Sequence, residues 1–160
     1  LVYDLGVKRT PLSWLPYLVA LPLVPIWAWL AMDGFQPRLL WLYPIGGLLI
    51  VAIHLSQVIT DIDGDRRQGE RGLGVVLGER SANALLWSAA FASTLLVGIG
   101  AGWFGERPLA GIIAAGAIGL LLLVALVLHA RQPARVRPYL FQIFTISAVV
   151  LGCGWAIAVV

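Results

Sequence analysis

Residues 39–60, LLWLYPIGGLLIVAIHLSQVIT, run for 22 residues without an Asp, Glu, Lys or Arg. About 20 apolar residues, rising roughly 1.5 Å each in a helix, cross the hydrocarbon core of a bilayer. Four further stretches of the same kind, residues 11–32, 81–104, 108–130 and 138–160, take up most of the remaining chain of 160. In lipid every backbone N–H and C=O must be paired within the protein, which these long single runs achieve as helices. The pattern predicts an all-α, polytopic transmembrane helical bundle of about five spanning helices, with residues 1–160 forming one membrane domain and no separate soluble domain.

Composition agrees. Hydrophobic residues make up 60% of the chain and charged residues 12%, with a mean hydropathy of +0.91. A soluble domain carries about 25% charged residues, so this chain cannot cover itself with a water-facing surface. The net charge of +3 does not indicate a nucleic-acid partner, because the charges follow the topology. The N-terminal strip and every second loop hold Lys8, Arg9, Arg66, Arg67, Arg71, Arg80, Arg131, Arg135 and Arg137, and the other side holds only Arg38 and Arg107. Positive residues concentrate on the cytoplasmic side. The expected protein is therefore a multi-pass cell-membrane protein whose N-terminal strip, 61–80 loop and 131–137 loop face the cytoplasm.

The start of the chain has neither an initiator Met nor the basic and apolar regions of a signal peptide, so the sequence is expected to begin inside a longer protein. Short loops with turn chemistry, such as Asp33-Gly34 and Gln132-Pro133, make neighbouring spans antiparallel. The first span carries Pro16, Pro22 and Pro25, which remove backbone donors and kink it. Gly111, Ala115 and Gly119 recur every fourth residue in the fourth span and predict a close helix contact. Cys153, between two glycines, reads as another small residue at a helix contact, and most of the seven Trp read as an interfacial belt.

One connection differs from the rest. Residues 61–80, DIDGDRRQGERGLGVVLGER, form the longest loop and contain five of the eight acidic residues. If the second span stays helical beyond the membrane, His54, Gln57, Asp61 and Asp65 line one stripe. Polar groups within a span usually face a bundle interior or a wet cavity, so the stripe is expected to point inward. Asp61, Asp63 and Asp65 then stand at a helix C-terminus, where the dipole disfavours negative charge. Two compensations are open. Arg66, Arg67 and Arg71 can neutralise the acids in a solvated interfacial loop, or Asp61 and Asp65, one turn apart, can bind Mg²⁺ shared with substrate phosphate oxygens. An EF-hand is excluded, because counting from Asp61 its Gly and Glu positions hold Arg66 and Gly72. The aspartate pattern of alcohol phosphatidyltransferases fails too, since Thr60 stands where its first acid is needed. No P-loop, zinc-ligand cluster or nucleophile elbow is present.

The run D-I-D-G-D-R-R-Q-G-E-R-G-L-G-V-V-L-G resembles the second aspartate-rich motif of the UbiA-type intramembrane prenyltransferase superfamily. That motif is D-x-x-x-D, then a Gly, a basic residue, a Leu and a closing Leu-Gly; Asp61, Asp65, Gly69, Arg71 and Leu77-Gly78 match it. The strip Y-D-L-G-V-K-R-T-P-L-S also resembles the family, with Tyr3, Lys8, Arg9 and Thr10 in the places it uses before its fifth span. Gly72 and Gly74 depart from the commoner Thr and Pro, and Gln57 stands where the family often has Asn. The resemblance implies spans five to nine of a nine-span protein. The family's first motif, N-D-x-x-D, is not in this sequence, so the chain alone is expected to be inactive.

What the resemblance implies is Mg²⁺-dependent transfer of an isoprenoid chain from a polyprenyl diphosphate to an acceptor, usually aromatic, with release of pyrophosphate, as in isoprenoid and quinone biosynthesis. It implies Asp61 and Asp65 as metal-holding catalytic groups and Lys8, Arg9 and Arg71 as diphosphate contacts, with His54, Gln57 and Asp63 in support. The partners expected are prenyl diphosphate, a small acceptor and membrane lipid, and no nucleic acid. A second class of reading is a non-enzymatic membrane module, a transporter segment or assembly partner, whose acidic loop only meets solvent.

Overall fold

The computed structural model of the protein describes residues 10, 12, 14–67, 69 and 72–160, with the side chains of Asp33, Asp61 and Asp63 outside that description. Among the described residues there is no strand. Helix α1 is Leu15–Asp33. A 3-10 turn, Pro37–Trp41, leads into α2, Leu42–Val58, which passes through a second 3-10 turn, Ile59–Asp61, into α3, Ile62–Arg67. Helix α4 is Leu73–Phe104 and α5 is Pro108–Arg131. The short α6, Pro133–Val136, and a 3-10 turn, Arg137–Tyr139, lead into α7, Leu140–Val159. Five of these elements are long and apolar enough to cross a membrane, as the sequence predicts.

The ring is made by α2, α4, α5 and α7: α4 lies between α2 and α5, and α7 packs on both α5 and α2. Helix α1 stands outside it, against α2, with Pro22 beside Gly46 and Leu18 beside Gly47. Only 11% of the apolar window of α1 is buried, so most of its surface is left for lipid or for other helices. Pro22 and Pro25 both lie inside α1.

Apolar side chains gain little by leaving lipid for protein, so helices in a membrane associate through close packing and polar bonds rather than through the hydrophobic effect. Both are present. At one end of the ring Gly111 of α5 lies against Ala101 of α4 and Ala158 of α7, and Gly154 of α7 lies against Ala114 of α5. Gly100 receives the buried Trp155 ring, which would come within 2.7 Å of any Cβ built there. Trp155 Nε1 donates to the Arg38 carbonyl at 3.0 Å, and the Arg38 guanidinium pairs with Glu106 at 2.7 Å. Deeper in the ring the buried Ser93 hydroxyl donates to the Ile45 carbonyl of α2 at 2.9 Å.

The Gly111, Ala115 and Gly119 row does meet α4, at Ala101, Gly98 and Thr94. Two expectations need correction. Cys153 is exposed, and its neighbour Gly154 makes the helix contact instead, because α7 turns about 100° per residue and only one of the two can face α5. Trp155 and Trp87 are core side chains, 0% and 7% exposed, while Trp27 and Trp103 keep the exposure of belt residues. The glycine contact also defines a test. Replacing Gly154 by Leu overpacks the ring and should cost roughly 1–3 kcal/mol, whereas Gly152→Leu, which meets nothing within 4 Å, should be close to neutral. Thermal unfolding of the two variants in detergent checks this, and equal melting temperatures would contradict the packing described.

Candidate functional site

Helix α2 leaves its apolar span without stopping. Ile59 (φ −58°, ψ −27°) and Ile62 (φ −52°, ψ −39°) keep right-handed helical angles through the 3-10 turn and into α3. At about 100° per residue, positions 54, 57, 61 and 65 share one face. Ala52, Leu55, Ile59 and Ile62, none more than 6% exposed, hold the opposite face against the ring.

Of the stripe expected to point inward, Gln57 is exposed on the side away from the four-helix ring and His54 and Asp65 are half-buried, while the Asp61 side chain lies outside the described residues. The apolar side chains of α2 that pack with α4 and α7 occupy the other side, so the polar side is left over. Helix α1 borders the same face farther along α2, through Gly46 and Gly47.

Asp65 does stand in the last turn of α3, as expected of an acid at a helix C-terminus. Arg66 and Arg67 occupy the last turn of α3, where the exposed carbonyl end of a helix favours positive charge. The chain then turns at Gly69 (φ 74°), whose N–H donates to the Arg66 carbonyl at 3.2 Å. Lys8, Arg9 and Arg71, the expected diphosphate contacts, lie outside the described residues, as do the side chains of Asp61 and Asp63.

Among the described residues no three His, Cys, Asp or Glu side chains form a group able to hold a metal. The Asp61 and Asp63 carboxylates fall outside that statement. The donor set nevertheless suits a hard cation. The unbroken helix sets Asp61 and Asp65 one turn apart on one face, and two carboxylates are the protein share typical of Mg²⁺, which takes its other oxygens from water and phosphate.

The returning chain is more ordered than the long loop the sequence predicts. Helix α4 begins at Leu73, eight residues before the expected span at 81. Gly74 is buried between Val58 and Ile62, and a Cβ there would meet Val58 Cγ1 at 2.6 Å. A larger residue at this place would not fit against Val58 without a shift. At Gly78 the helix bends, with φ 73° and ψ 161°, a conformation essentially confined to glycine.

Immediately after the bend, Glu79 pairs with Arg137 of the connection between α5 and α7. Sequence reasoning missed this pair, since the partners are 58 residues apart and no periodicity links them. With side chains 32% and 53% exposed, such a pair contributes at most about 1 kcal/mol to stability. Beside it, Trp87 packs on His129 and Phe144, with ring centroids 5.8 Å and 5.4 Å apart.

Two cavities formed by described residues lie elsewhere. One, of about 750 Å³, is at the opposite end of the ring beside Arg38, Glu106 and Arg107. The other, of about 310 Å³, is an apolar cleft between α4 and α5 lined by Phe91, Thr94 and Gly116. Neither touches the aspartate face.

No curated protein and no solved structure matches this chain. The UbiA prenyltransferase family profile matches residues 1–149. That match covers both aspartates, the preceding Lys-Arg strip and the first half of α7, so the chain belongs to the UbiA prenyltransferase family, a family of integral membrane enzymes.

Proposed function

We propose that the face of α2 and α3 carrying Asp61 and Asp65 is one half of a prenyl-transfer site. It receives the diphosphate end of a polyprenyl diphosphate, and the chain passes to an acceptor, for which an aromatic ring is the leading candidate. The observation that supports this most directly is the helix running unbroken from the apolar span through position 65, which sets the two aspartates one turn apart where the span ends.

The chemistry accounts for the residue types. The carbon–oxygen bond of an allylic diphosphate breaks with its electron pair going to the departing pyrophosphate, so the barrier falls when that charge is stabilised. Asp61 and Asp65 would hold a Mg²⁺ ion, which when bound would supply this Lewis acidity. Lys8, Arg9 and Arg71 add direct phosphate contacts, Arg in bidentate geometry and Lys as a point charge. His54, Gln57 and Asp63 orient these groups or the acceptor. The new bond forms at an acceptor carbon, which then gives up its proton. Water must be kept from the allylic cation, and the apolar spans bordering the polar face serve that purpose while giving the isoprenoid tail a place to lie.

Two experiments test this reading. In the complete protein, reconstituted in vesicles, Asp61→Asn and Asp65→Asn should each slow pyrophosphate release by roughly 10²-fold or more with folding intact. Undiminished release in both would remove the aspartates from the reaction and return the loop to a solvated interfacial segment. The proposal puts the site on the cytoplasmic side, where the Lys and Arg residues of the connections concentrate. In a Cys153→Ser background, Gln132→Cys should react with an impermeant maleimide only in inside-out vesicles and Phe35→Cys only in intact cells; the reverse pattern would invert the topology.

A further inference from the structure

The aspartate turn is not held by its own helix alone. Gly74, in the first turn of α4, lies directly against Val58 and Ile62, the residues that flank the 3-10 turn ending at Asp61. The segment from Leu73 to the bend is thus a buttress behind the turn. It joins the rest of α4 through Gly78, whose torsions no other residue readily adopts. A single-residue bend of this kind transmits position poorly unless the chain beyond it is fixed. The next residue, Glu79, is fixed: its carboxylate takes the Arg137 guanidinium, from the connection leading into α7. Among the described residues Glu79 is the ion-pair partner of Arg137.

We infer that Glu79 and Arg137 are positioning residues for the diphosphate and metal site: their pairing fixes the bend at Gly78, and so the buttress that sets the spacing of Asp61 and Asp65. This rests on the prenyl-transfer reading of the aspartate face. The pair is too exposed to matter much for overall stability, and it joins the returning end of the aspartate loop to the start of α7. Breaking it should therefore loosen the site without unfolding the ring.

The experiment uses the complete protein in vesicles. Glu79→Gln and Arg137→Gln should each raise the half-saturating Mg²⁺ concentration and the KM for prenyl diphosphate about five- to twentyfold, with kcat changed less than threefold. The swapped pair, Glu79→Arg with Arg137→Glu, should return both to within about threefold of the parent. A second readout does not need activity: trypsin cleavage after Arg66 and Arg67 should speed up several-fold in the single variants and return in the swap. A merely structural role would lower the amount of active protein and kcat while leaving the Mg²⁺ and diphosphate dependence unchanged. That result, unchanged cleavage, or single-variant effects that the swap leaves in place would each overturn the inference. Asp61→Asn and Asp65→Asn in the same assay separate the two ideas. If they abolish pyrophosphate release while the Glu79 and Arg137 variants behave as the parent, only the positioning role falls. If they leave release intact, the reaction site itself is wrong.

Discussion

At one end of the ring α4, α5 and α7 approach so closely that glycine and alanine meet directly between them, and the orientation of everything else follows from that approach. In lipid the hydrophobic effect does not rank one apolar face above another. Shape decides instead: Gly111 and Gly154 let α5 and α7 close on each other and on Ala101, and Gly100 makes the recess for Trp155. Once those three are fixed, α2 has one apolar side that interdigitates with α4 and α7, through Ile45, Leu49, Ala52 and Leu55. Its polar side is turned outward as a consequence.

That consequence bears on function. A polar stripe at the centre of a four-helix ring would be enclosed by apolar side chains with no room for a prenyl diphosphate. On the outer side of α2, beside the sparsely packed α1, it borders the surface that the ring leaves open.

The two ends of the ring are secured differently. At the Arg38 end, a buried Trp155 bonded to a backbone carbonyl, the Arg38–Glu106 pair and the glycine contacts all coincide. At the aspartate end the chain changes direction twice, at Gly69 and Gly78, and a half-exposed ion pair ties it to α7.

Much was legible without a fold. Span number, the all-α class, the concentration of acids after the second span and the family motif all depend on local composition and on spacing along one helix, which a sequence states directly. The i, i+4 relation of Asp61 and Asp65 is of that kind, and the helix does continue through them. The direction in which the stripe faces was not legible, because periodicity defines which residues share a face but not which neighbour that face meets. The roles of Trp155, Gly74 and the Glu79–Arg137 pair were hidden for the same reason: each depends on a partner brought near by packing from 12 to 117 residues away. The sequence by itself determined that this chain forms membrane-spanning helices with an acidic turn at one end; only the tertiary structure decided which side of that turn is open, because in a bilayer that choice rests on how closely small residues let the helices meet.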